Sequence, residues 1–354
     1  MKDSSLHNSK VSVIIVCFNQ EKTIGRAIES VLAQKTDFLF ELIIGEDCST
    51  DGTLRICREY ENRFPDKVKV RANKENKGVL NNYYDCVLAA SGEYISDLGG
   101  DDFWIDEHKL QIEADTLDKF PDVSLVHTDW KYYNEETGVF SSPWGGNAYP
   151  YLDRFATEYP PYLLLKHISP IVVHLCSAMY RKDLFLKIYE EDEYLFRNKE
   201  FLVEDLQLTV MLATEGRFIF INRETLAYSV NNDSMTGNRD FRKQFDLYLA
   251  SLKLTRYLEK KIEMPHNEVN DVYKNFSHFL AMQAFHAYDA DRMKKLKKSI
   301  KDWDTHLSFK TSLILFLGGN KFLWKPMRSL WKTYRKLHSR KHPETKNQQE
   351  KFEK

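Results

Sequence analysis

Near the start of this chain of 354 residues lies VSVIIVCF (Val11–Phe18), an apolar, mostly β-branched run broken only by Ser12. A strand with one wet face alternates apolar and polar residues. A continuous apolar run instead predicts a strand buried on both faces, which requires covering layers above and below the sheet. The residues that follow supply those layers. Ile24, Ala27, Ile28, Val31 and Leu32 repeat at i, i+3, i+4, i+7 and i+8, the stripe of an amphipathic helix. FELIIGE (Phe40–Glu46) is a second strand, and DCSTDGT leads into a helix carrying Leu54, Ile56 and Cys57. KVKVRA is a third strand; NKENKGVLNN feeds the helix YYDCVLAASG, which stops at Gly92 as a glycine-capped helix does. EYISDL is a fourth strand, followed by GGDDFW (Gly99–Trp104), a helix over Asp106–Lys119 and the strand VSLVHT.

Strands and helices that alternate with short connections predict an α/β fold, a doubly wound and mostly parallel sheet with helices on both faces. Ligands bind such sheets at the carboxyl ends of the strands. Asn19, Asp47 and the pair Asp101/Asp102 all fall at that edge, so the spacing predicts one shared crevice. From Lys131 to about Pro170 the sequence is irregular and rich in Tyr, Pro, Gly and Asn, which reads as loops over the crevice. IVVHLCSAMYR returns to strand character, FLVEDLQLTVMLATEG reads as a helix, and GRFIFI as a closing strand. Beyond Arg239 only helical patterns remain. The expected organisation is a disordered N-terminus over 1–10, a catalytic domain over 11–238 and a helical C-terminal extension over 239–354.

Composition removes several classes of function. The net charge of −1 gives no global attraction to nucleic acid, although residues 321–354 hold eleven Lys/Arg against three Glu. Five cysteines, an odd number without CxxC or CxxH spacing, predict reduced thiols rather than a disulfide scaffold or zinc site. The polar opening MKDSSLHNSK predicts no signal peptide, and no run approaches the ~18 apolar residues of a membrane span. The expected location is cytoplasmic. There is no GxGxxG after the first strand, no GxxxxGK[ST] and no GxSxG, which argues against dinucleotide binding, a P-loop and a nucleophile elbow.

Three acidic groups remain to be explained. Asp101 and Asp102 lie side by side at a strand end, where two like charges gain nothing in a loop. They read either as carboxylates for a hard divalent cation or as an Asp turn and N-cap before the next helix. Asp47 ends the second strand, where a carboxylate could accept a hydrogen bond from a base edge or ribose; Thr50 or Asp51 is the better N-cap for the helix after it. Glu204 and Asp205 begin an otherwise apolar helix, either as a cap or salt-bridged surface patch, or as a general base if they face the crevice.

Taken in order, VSVIIVCFNQEKTIGRAIESVLAQ, ELIIGEDCSTDGT, ENKGVLNN, SGEYISDLGGDDFWIDEHKLQIE and FLVEDLQL closely resemble the family 2 glycosyltransferases of the GT-A fold, across about residues 10 to 235. The resemblance implies a nucleotide-sugar donor, a divalent cation (Mn2+ or Mg2+) and transfer with inversion at the anomeric carbon. Cys17, Phe18, Asn19 and Glu21 match the loop that holds the nucleoside. Asp47 matches the carboxylate on the base, usually uracil, which favours a UDP-sugar. Asp102 matches the better direct metal ligand, with Asp101 reaching ribose or metal. Asp205 matches the general base, with Glu204 its neighbour. Asn76, Gly78 and Asn82 match an Asn/Gly loop before the third helix. The acceptor implied is a saccharide or lipid-linked saccharide, in cell-surface polysaccharide biosynthesis.

The chain departs from the family pattern at Gly99, where an Asp is common, and at Ser229 and Asn231, where Arg and His are common. Those departures keep open a donor-binding protein without turnover. A sugar nucleotidyltransferase is the other rival, but it needs a Gly-rich basic loop, and CFNQEKT is not one. The basic, aromatic tail adds an expected peripheral contact with anionic membrane through residues 309–341.

Overall fold

The computed structural model describes residues 9–143, 161–166, 173–230 and 240–318. The elements run β1 (Val11–Cys17), α1 (Ile24–Leu32), β2 (Phe40–Glu46), α2 (Thr53–Arg63), β3 (Val68–Ala72), α3 (Val79–Ala89) and β4 (Tyr94–Gly99). Next come β5 (Phe103–Trp104), α4 (Lys109–Lys119), β6 (Val123–Asn134), β7 (Phe140–Ser141), α5 (Pro161–Lys166), β8 (Ala178–Arg181), α6 (Lys182–Glu191), α7 (Glu193–Arg197), α8 (Asp205–Glu215) and β9 (Arg217–Val230). Four helices close the described chain: α9 (Phe241–Lys261), α10 (Asn270–Ala287), α11 (Ala290–Asp302) and α12 (Phe309–Gly318). They fall into two compact units, Met1–Arg239 with Tyr257–Met264, and Asp240–Arg256 with Pro265–Lys354. Of the N-terminus, residues 1–8 lie outside the described residues. Lys10 donates its N–H to the Leu39 carbonyl, and its own carbonyl accepts from Tyr94.

The first unit is built on one sheet in the order β3-β2-β1-β4-β8-β6-β9-β5, with β7 beside β6. Its long ladders, β1 with β2 and β4, β2 with β3, and β6 with β9, are parallel; the antiparallel pairings are two or three residues each. Burial follows position in the sheet. The central strands β1 and β2 are buried nearly throughout, whereas the edge strand β3 buries only Val68 and Val70, its two valines. Register is what places the site. Cys17 of β1 pairs with Glu46 of β2, and Val16 pairs with Gly99 of β4, so three loops leave the sheet at one level.

Strand β6 runs past VSLVHT to Asn134, through residues read from the sequence as irregular loop. It is held there by β9, also longer than GRFIFI, with register shifts around Asp129. Those bulges break the alternation that would have marked a strand. The loops expected over 144–160 and 167–170 lie outside the described residues. Behind the GGDD turn, Lys109 and Glu113 of α4 form a fully buried pair at 2.6 Å, with the ammonium 3.2 Å from Ser96 Oγ and over the Trp104 ring. In the second unit, Trp303 is buried against Tyr273, their rings stacked 5.5 Å apart.

Candidate active site

The loop after β1 is tied to the loop after β2. Asn19, at φ +53°, donates its N–H to Ser49 Oγ at 2.9 Å, and its Oδ1 accepts from Thr50 N at 2.8 Å. Asparagine tolerates that left-handed backbone better than most residues. Glu21 Oε2 accepts from Gly52 N at 2.8 Å, and Gln20 N donates to Thr53 Oγ1 at 2.7 Å. Asn19 and Glu21 therefore shape the rim by stitching it. Cys17 is buried among Cys57, Cys86 and Glu46, which push its thiol far up. Phe18 differs: its side chain is 46% exposed, an open aromatic face on the rim.

Asp47 is buried, and its carboxylate organises the segment before α3. Oδ1 accepts from Asn73 Nδ2 (2.9 Å) and Lys77 N (2.8 Å), and Oδ2 accepts from Gly78 N (2.9 Å). Asn76 Nδ2 reaches the Asp47 carbonyl, and Asn82 joins Asn73 to the Gly45 carbonyl. Asp47 therefore supports the turn into α3 across 31 residues of sequence, a role invisible from local spacing. A carboxylate has about four lone-pair sites, so one remains, on Oδ2.

A Cβ on either glycine of GGDD would crowd its neighbours. A Cβ on Gly100 would lie 2.3 Å from Gln20 Oε1 and 2.9 Å from Cys17 Cβ. A Cβ on Gly99 would lie 3.1 Å from Asp101 Oδ1 and 3.2 Å from Asp102 Oδ2, so both carboxylates converge on the space that a side chain at 99 would fill. Helix α1 holds the turn: Thr23 Oγ1 donates to the Gly100 carbonyl at 2.9 Å, and Arg26 Nη2 to the Asp101 carbonyl at 3.0 Å. Asp102 Oδ1 accepts from Ser229 N at 2.8 Å, which fastens the pair to β9. Burial raises the carboxyl pKa of Asp101, and burial with the Asp101 charge raises that of Asp102 well above the usual range.

Two residues at this site gave no sequence signal. Arg26 is ion-paired with Glu135, donates to Ser229 Oγ at 3.2 Å and lies 4.1 Å over the Phe103 ring. It brings a guanidinium to the side of Ser229, where the family pattern has its own cations. Its partners are 75 to 203 residues away in sequence, beyond any motif. Cys176 is the other. Burial, with the charges of Asp102, Asp97 and Glu204 around it, raises its thiol pKa, and the Gly99 N–H points at it. The Cys176 thiol therefore borders the Asp102 carboxyl, and the charge of Glu204 is felt there as well.

Helix α8 begins at Asp205, with Glu204 at its N-cap, and Tyr84 Oη holds the Glu204 carbonyl at 2.8 Å. Among the described residues neither carboxylate is in an ion pair. Burial, then the neighbouring Asp205, raises the carboxyl of Glu204, and burial raises that of Asp205. Asp97 on β4 is a further buried acid whose pKa is raised by burial, with Glu204 contributing. An acid that is harder to ionise in the fold than in the unfolded chain costs nothing below the ordinary glutamic range. The cost grows as pH rises from about 4.3 towards the raised folded value. Glu204→Gln is therefore expected to melt higher than wild type at pH 8, by ~2–4 °C per kcal/mol relieved, and alike at pH 4. Differential scanning calorimetry at the two pH values measures it; a lower melting temperature at pH 8 would contradict the assignment.

The model described as glycosyl transferase family 2 matches residues 12–188, half of the chain. The chain belongs to that family. Its described residues carry the family's mixed α/β architecture, a mostly parallel sheet with C-terminal helices. An uncharacterised protein of Mycobacterium tuberculosis is 38% identical over 115 residues, 32% of this chain and 33% of that protein. The match thus spans about a third of the relative's length. A Campylobacter jejuni protein named GalNAc(5)-diNAcBac-PP-undecaprenol beta-1,3-glucosyltransferase is 25% identical over 294 residues, 82% of this chain and 87% of that one. Among solved structures, the mannosyltransferase PcManGT of Pyrobaculum calidifontis, in complex with GDP-Man and Mn2+, shares the fold. Its TM-score is 0.52 at 16% identity, covering 93% of this chain and 84% of that one. Among the described residues no helix is long and apolar enough to cross a membrane, and all five cysteines are free thiols.

Proposed function

We propose that this chain is an inverting glycosyltransferase. It moves a sugar from a nucleoside diphosphate donor, UDP favoured, to a hydroxyl of a saccharide or lipid-linked saccharide, with Mn2+ or Mg2+ held beside Asp101 and Asp102. The observation that carries this reading is the Asp101–Asp102 pair at the carboxyl edge of the parallel sheet, with both carboxylates turned to the space beside Gly99. Burial makes the carboxyls of this pair and of the Glu204–Asp205 pair harder to ionise. Both make sense where a cation, a diphosphate and a proton must be handled within a few ångströms of one another.

No group of three or more His, Cys, Asp or Glu side chains able to hold a metal exists among the described residues. The two carboxylates that converge on Gly99 nevertheless fit a hard cation of this kind. Magnesium sites commonly use one or two carboxylates and complete their shell with water and substrate phosphates. When bound, the cation supplies positive charge against the charge growing on the departing nucleoside diphosphate. Phe18 offers the base an apolar face, and the free lone pair of Asp47 Oδ2 can accept from a base N–H. Asp205 takes the proton of the acceptor hydroxyl as that oxygen bonds to C1 from the face opposite the breaking C1–O bond. That direction of attack inverts the anomeric carbon. The alignment with the C. jejuni protein over most of both chains supports a lipid-linked acceptor and a setting in cell-surface polysaccharide biosynthesis.

Incubating the chain with a panel of nucleotide sugars and Mn2+ should release nucleoside diphosphate from one of them, and EDTA should stop the release. Thermal stabilisation by a donor, with no release across the panel with or without saccharide acceptors, would instead establish a donor-binding protein without turnover.

A further inference from the structure

Helix α12 (Phe309–Gly318, FKTSLILFLG) is apolar on more sides than its packing uses. Thr311, Leu315 and Gly318, at i, i+4 and i+7, are its buried edge. Thr311 Oγ1 is 3.0 Å from His278 Nδ1 of α10. Gly318 lies so close to α11 that a Cβ there would be 2.6 Å from Met293 Cε. At about 100° per residue, the edge centred roughly 160° away is Phe309, Leu313 and Phe316. Those three side chains are exposed by 83%, 42% and 64%. An apolar edge of this size facing water is unfavourable unless something covers it.

Charge indicates what covers it. Lys310 flanks the edge, and α11 in the same unit exposes Lys294, Lys295, Lys298 and Lys301. The sequence that follows carries eight Lys/Arg and no acid between Lys321 and Lys341. A second copy of the chain would bring the same positive charge against itself, whereas an anionic surface would be attracted. The ten described residues of α12 rise only ~15 Å, half the hydrocarbon thickness of a bilayer, which suits a segment lying in the interface.

We propose that the Phe309–Leu313–Phe316 edge of α12 is a docking surface for anionic phospholipid, with the phenyl and leucyl side chains entering the acyl boundary. Co-sedimentation of the full chain should show binding to vesicles of phosphatidylcholine with phosphatidylglycerol, weakened by salt. Replacing all three residues with Ser should weaken that binding more than about tenfold, with the thermal melt unchanged. In an otherwise wild-type chain, Leu313→Trp should add fluorescence that brominated acyl chains quench. Three results overturn the proposal: equal sedimentation of wild type and triple variant, no quenching of the added tryptophan, or conversion of a wild-type dimer to monomer in the triple variant. None of these readouts depends on glycosyl transfer, so the surface and the enzymatic reading fail separately.

Discussion

Asp205→Asn is expected to bind donor with wild-type affinity and to transfer sugar ~10²–10⁴-fold more slowly, the contribution of a positioned general base. The amide is nearly isosteric and its oxygen can still accept from Leu206 N, the bond that Asp205 Oδ1 makes at 2.7 Å. What it cannot do is take a proton. The wild-type rate should also carry a pH signature. Because burial raises the Asp205 carboxyl, the base is protonated over a wider acid range than a free aspartate, and the rate should rise with pH through that raised value. The variant's residual rate should lose this limb. Calorimetry with donor and a pH–rate profile separate the outcomes. Donor affinity lost in proportion to rate would make Asp205 a structural residue of the α8 N-terminus.

Asp102→Ala is expected to lose metal-dependent donor binding. Outer-shell substitutions at metal sites cost 10–100-fold in metal affinity, and a direct ligand should cost at least that. The alanine also leaves Ser229 N without its acceptor at 2.8 Å, so its fold must be checked. Asp102→Asn resolves the ambiguity, since its carbonyl oxygen can still accept from Ser229 while the carboxylate is gone. Titration of UDP with and without Mn2+ should show both variants insensitive to the metal. If Asp102→Asn retained metal-enhanced binding, Asp102 would be a tie between the turn and β9, and the cation would be held by other groups.

The first four strands and their helices were legible because each central strand is apolar nearly throughout and each helix carries one apolar stripe. Those patterns are set by burial, which acts residue by residue. The second half of the sheet was harder. Strand β6 crosses Asp129 and a bulge, and β5 is only two residues long, so neither has a clean period. The acidic residues of the site could be named from the sequence, but not their states. Asp47 was expected to be free for a nucleoside, and most of its lone pairs are used by the loop over 73–78.

Spacing alone put Asn19, Asp47 and the double Asp at one edge of a parallel sheet, because strands in register must release their loops at a common level. Tertiary structure alone decided what those residues touch. Arg26 meets Glu135 and Ser229, and Cys176 borders Asp102, through contacts that span from tens to about two hundred residues. Such contacts leave no local period in a sequence. They arise when separate strands and helices close around a shared volume, and that closure also sets how much water each carboxylate keeps and hence how readily it ionises.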